Sequence, residues 1–83
     1  SNNTMQIFIK GVNNDTFTLK VESSDSIWKV KNQFQKMQGV PPDHQRLIFE
    51  GKGYHKLLAD NKMTLNEYKV RESSKLHLVC PHV

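Results

Sequence analysis

A single cysteine, Cys80, stands in the 83 residues, so no internal disulfide can staple the fold, and the cysteine-dense frameworks of small secreted domains are excluded. Long apolar runs are also missing. No stretch approaches the roughly 18 consecutive apolar residues that argue for a membrane span. The start, Ser1-Asn2-Asn3-Thr4-Met5-Gln6, has neither the basic segment nor the apolar core of a secretory signal. These absences point to a soluble chain in a reducing, cytoplasmic or nuclear setting. Twelve Lys and Arg against eight Asp and Glu give a net charge of +4. The basic residues are scattered, without the dense run or interleaved aromatics of a nucleic-acid binder, so the excess reads as a solvated surface. Neither nucleic acid nor membrane is an expected partner.

Catalytic signatures are absent as well. The chain holds no Gly-rich phosphate loop, no His-Glu-x-x-His helix, no paired cysteines and no nucleophile elbow, so neither an enzyme nor a cofactor is expected. The metal-ligating candidates are Cys80-x-His82, with His77, His55 and His44 elsewhere. A zinc site needs three or four converging ligands, and this spacing does not make them converge, so no metal site is expected. Cys80 alternates with Leu76 and Leu78 on a buried face, where a cysteine serves as a small hydrophobe rather than a nucleophile.

What is present suits one domain with a small core, at 36% hydrophobic and 24% charged residues. Met5, Ile7 and Ile9 alternate with Gln6, Phe8 and Lys10, the period of a strand. Gly11, Asn13, Asn14 and Asp15 make a turn. Phe17, Leu19 and Val21 then alternate inward, giving a β-hairpin with Val12 at its tip. Ser26 is the N-cap of a helix whose Ile27, Val30, Phe34 and Met37 form an apolar stripe and which Gly39 stops. Pro41 and Pro42 force a crossover. Arg46 to Glu50 reads as a strand with Leu47 and Phe49 on one face and Ile48 on the other, closed by Gly51-Lys52-Gly53. Residues 54–63 read as a ragged surface connection. Thr64 and Glu67 form a capping box for a brief helical turn that points Leu65 and Tyr68 inward. Lys75 to Cys80 is a last strand with Leu76 and Leu78 inward. The order is ββαβ, a short strand or helical element, then β: a single α+β domain over residues 5–80, with tails at 1–4 and 81–83 and no repeat.

One class of residue falls on faces that ought to be polar. A sheet covered by one helix has one dry face, so Phe8, Ile48 and Val79 stand on the wet one. Scattered exposed hydrophobes are ordinary, but contiguous ones rimmed by Arg46, Lys52 and His77 would make an interaction surface. Trp28 also lies outside the helical stripe at about 100° per residue. It either packs on the stems of Lys29 and Lys31 or serves as a second contact.

The stretches Met5-Gln6-Ile7-Phe8-Ile9-Lys10, Leu19 to Ile27, Val40 to Lys52 and Ser73 to Val79 resemble the ubiquitin family in order and spacing. The run Pro41-Pro42-Asp43-x-Gln45-Arg46-Leu47-Ile48-Phe49-x-Gly51-Lys52 is the most specific. The resemblance implies the β-grasp fold, a mixed sheet wrapped on one helix. It also implies a hydrophobic patch that docks receptor helices and small domains, matched here by Val12, Ile48, His77 and Val79, with Arg46, Gly51 and Lys52 as its rim. Phe8 and Trp28 are secondary candidates. Protonation of His77 at mildly acidic pH would weaken docking on such a patch.

Three departures qualify the resemblance. After Val79 the family continues with an Arg- and Leu-rich tail ending in Gly-Gly, where this chain has Cys80-Pro81-His82-Val83, so conjugation is not expected. Lys10, Lys31 and Lys52 match lysines used in chain building, but other such positions read Asp15, Gln33, Met37 and Glu72. The connection from Gly53 to Met63 is longer than the family's, and its Tyr54 or Leu57 could carry partner specificity. The expected role is therefore a monomeric, non-conjugated interaction domain of a larger intracellular protein, binding ubiquitin receptors of the proteasome or the ubiquitin pathway, or contacting other domains of its parent. The alternative is a covalent modifier or precursor unit whose Gly-Gly end lies beyond this chain or was lost from it.

Overall fold

The computed structural model describes residues 4–81. Most of the two expected tails, His82 included, lies outside the described residues. Strands β1 (Thr4–Lys10) and β2 (Thr16–Glu22) form the hairpin, and helix α1 (Ile27–Gln38) follows. After a 3-10 turn over Pro42–His44 come strands β3 (Arg46–Gly51), β4 (Tyr54–Leu57) and β5 (Lys75–Val79). The five-stranded sheet has the order β2-β1-β5-β3-β4. β1 and β5 run parallel at its centre, and the other pairs are antiparallel. This is the mixed sheet on one helix of the β-grasp fold, and no helix of the described residues is long and apolar enough to cross a membrane.

The helix begins and ends where local chemistry places it. Ser26 Oγ accepts from the Lys29 N–H at 3.1 Å, and Gly39 takes the left-handed conformation at φ 76° while donating to the Gln35 carbonyl. Such an N-cap contributes about 1 kcal/mol. The buried stripe of α1 is Ile27, Val30, Lys31 and Phe34, not the run ending in Met37. Met37 lies in the last turn of the helix and is 43% exposed, while Lys31 is buried in its place in the stripe. Across from this stripe lie Ile7, Ile9, Leu19, Leu47, Leu76 and Leu78, all buried. Phe17 meets the edge of Phe34 with centroids 5.3 Å apart.

The connection over residues 54–63 is not a loop throughout. The turn Lys52-Gly53, with Gly53 at φ 76°, reverses the chain. Tyr54 to Leu57 then pair with β3, setting Tyr54 opposite Gly51, His55 opposite Glu50, Lys56 opposite Phe49 and Leu57 opposite Ile48. Beyond the strand Leu58 is buried, and its N–H donates to the Leu47 carbonyl at 2.9 Å. The chain then closes on the start of α1. The Ile27 N–H donates to the Met63 carbonyl at 2.9 Å and the Trp28 N–H to the Asn61 carbonyl at 3.0 Å. These are N–H groups that a helix leaves without internal partners, so the connection completes the cap that Ser26 starts. Thr64 and Glu67 exchange the reciprocal hydrogen bonds of a capping box. They support turns rather than a helix, with Leu65 and Tyr68 buried as their spacing implies.

Candidate functional site

The outward face of the sheet is built by register. Directly opposed residues of neighbouring strands share a face, so the pairings define rows across it. Leu57, Ile48, His77 and Lys10 form one row over β4, β3, β5 and β1. His55, Glu50, Lys75 and Phe8 form the next, and Arg46 opposes Val79 on the other side. Ile48 is thus flanked by Leu57 and His77, with the Val79–Arg46 row beside it. Ile48, His77 and Phe8 are half-buried, while Leu57 and Val79 are 46% and 42% exposed. The rows hold an aliphatic cluster at one end and a charged, imidazole-rich cluster at the other.

The charged cluster has a specific geometry. His77 Nε2 lies 2.6 Å from Glu50 Oε1, and the His55 and His77 rings are 6.0 Å apart. The hydrogen bond with His77 holds the Glu50 carboxyl below its ordinary value. A smaller desolvation cost opposes it, and the charges of His77, Lys75 and His55 act in the same direction as the hydrogen bond. A shallow groove of about 370 Å³ runs along this end, lined by Phe8, Lys10, Thr16, Glu50, Lys75 and His77 among others.

The other expected residues divide between this face and elsewhere. Val12, 59% exposed at the hairpin tip, lines a separate groove with Phe17, Phe34, Val40, Leu78 and Cys80 on the helix side. Gly51 carries the Tyr54 ring directly over its Cα: an added Cβ would meet Tyr54 Cζ at 2.3 Å. Tyr54 in turn packs edge-on against Phe49 at 6.2 Å. Trp28 is 45% exposed and its carbonyl accepts from Asn32 Nδ2. Lys10 and Lys52 are exposed. Lys31 is only 7% exposed, and its Nζ donates to Asn61 Oδ1 at 2.8 Å. Burial, and then the nearby Arg46 charge, lower its pKa. An amine so held is poorly placed to be a conjugation acceptor. Cys80 is a free cysteine, partly buried against the core.

From the sequence alone Leu57 and His55 fall on a surface connection and Glu50 has no role. The signal for their placement was Lys52-Gly53, a short turn after a strand, which favours an antiparallel return.

A family model described as the ubiquitin family matches residues 7–81. Over 75 residues the chain is 33% identical to the NEDD8-like protein RUB3 of Arabidopsis thaliana, a match covering 90% of each. To the NEDD8-like protein RUB1 of Saccharomyces cerevisiae it is 31% identical, covering 90% of this chain and 91% of that one. It is also 37% identical over 79 residues to the ubiquitin-like domain-containing protein CIP73 of Lotus japonicus. That match covers 95% of this chain but 11% of the larger protein.

Proposed function

The chain belongs to the ubiquitin family, and from that premise we propose that it is a non-conjugated interaction domain docking ubiquitin-receptor helices or small domains on the outward sheet face. The observation that carries the reading is the row Leu57, Ile48 and His77, flanked by Val79. It sets aliphatic side chains side by side on a face that a free sheet would fill with polar ones. Contact energy concentrates in the central residue of such a patch, here Ile48, with Arg46 and Lys52 supplying a polar rim. Phe8 extends the surface along its groove, whereas Val12 lines a separate groove at the hairpin tip and stands outside it. Cys80-Pro81 in place of the family's Arg- and Leu-rich tail favours docking over conjugation, since proline stiffens the segment that an activating enzyme must thread. The test is an amide-shift titration of the labelled domain with a ubiquitin-interacting helix. Shifts should centre on Ile48 and vanish in Ile48→Ala.

A second reading, a covalent modifier, is favoured by the near-complete mutual coverage with the NEDD8-like proteins. Incubation with the matching activating enzyme and ATP tests it, and a thioester on the enzyme would support it. Lys10 and Lys52 are then the accessible candidates for chain building, ahead of the buried Lys31.

A further inference from the structure

Beyond docking, we propose that Glu50, His55 and His77 form a surface site for a divalent transition-metal ion of the zinc type. One ligand atom from each lies within 4.8 Å of the others. The three come from three adjacent strands and are held by the sheet itself. Glu50 and His55 oppose each other across β3 and β4, while His77 stands diagonal to Glu50 on β5, opposite Ile48. The third ligand exists because residues 54–57 form β4, which puts an imidazole beside the Glu50–His77 pair.

The geometry is close to what such an ion takes. Bonds of about 2.0–2.1 Å at the tetrahedral angle set ligand atoms about 3.3 Å apart. The Glu50–His77 contact of 2.6 Å has to open slightly and the longest separation has to close, movements that the exposed Glu50 and His55 side chains make by small rotations. Two imidazoles and one carboxylate suit zinc and its neighbours, whereas calcium and magnesium prefer all-oxygen shells. Ligation through His77 Nε2 moves the ring proton to Nδ1, so the metal replaces the hydrogen bond to Glu50. With three protein ligands the fourth position stays open to water or to a side chain of a bound partner, the pattern of an open site. Lys75, opposite Glu50 in the same row, opposes the ion's charge, which sets the affinity below that of a closed structural site.

Zinc chloride titrated into the full chain, followed by calorimetry and by the imidazole proton resonances, tests this. The expected result is one saturable site, with His55 and His77 shifting in a single transition. His55→Ala and Glu50→Gln should each weaken binding by at least about tenfold, as losses around metal sites do, while His44→Ala leaves it unchanged. Shifts at His77 without His55, affinity unaltered by His55→Ala, or shifts centred on Cys80 and His82 would overturn the proposal. The coincident wild-type shifts decide the matter even if a variant loses its fold. The claim concerns metal alone and stands or falls independently of receptor docking.

Discussion

Leu57 lies directly across the β3–β4 ladder from Ile48, so the strand after Gly53 adds an aliphatic side chain beside the centre of the outward face. Opposed side chains in an antiparallel pair are about 4.5–5.5 Å apart at Cβ, close enough to share one partner. Leu57→Ala should weaken receptor docking by less than about 1 kcal/mol, against about 2 kcal/mol for the central Ile48→Ala. Calorimetric titration of the two variants checks the order. Leu57→Ala equal in effect to Ile48→Ala would shift the centre of the surface to β4.

Gly51 is required by the aromatic ring over it. A methyl group at Gly51 would meet Tyr54 Cζ at 2.3 Å, so Gly51→Ala has to push the ring away from Phe49. The ring is half exposed and can move, so the cost should be about 1 kcal/mol. In a Tyr54→Ala background the same change should cost little. Urea unfolding of the double-mutant cycle measures that coupling.

Lys31 carries a pH signature. Burial and Arg46 lower its pKa in the folded state from the ordinary 10.5, so at neutral pH the fold bears the cost of keeping the amine charged. As pH rises through the folded value toward 10.5, the unfolded chain holds the proton that the folded one has released, and stability from this group increases. Wild type should gain stability relative to Lys31→Met across that alkaline window. A constant difference between the two would contradict the burial argument.

Asn61 is the partner of that amine, and its carbonyl also caps α1 at Trp28. Asn61→Ala removes only the side-chain contact and leaves a nearly buried cation without it, which should cost about 1–3 kcal/mol. In a Lys31→Met background the loss should shrink. Thermal or urea unfolding distinguishes the two cases.

Features encoded locally were legible before the structure. Ser26 and Gly39 bracket the helix because capping depends on residues within a turn of the end, and the alternation of Leu47 with Ile48 and of Leu76 with His77 revealed which side chains face outward. What the sequence does not show depends on the edge of the sheet. All of Tyr54 to Leu57 are exposed, so β4 shows no buried alternation, and only pairing with β3 makes it a strand. The Glu50, His55 and His77 cluster is hidden for the same reason, since its members meet only through register. Nothing local marks Lys31 as buried, because the partner of its amine, Asn61, lies thirty residues away in sequence.

The central claim is that the outward face around Ile48 docks a receptor, and it is tested most directly by titrating the isotopically labelled chain with a ubiquitin-interacting helix while following backbone amides. The account predicts shifts concentrated on Ile48, Leu57, His77 and Val79, lost in Ile48→Ala while the fold persists. Shifts confined to the Val12 groove or to α1, or shifts at Ile48 that survive Ile48→Ala, would contradict it.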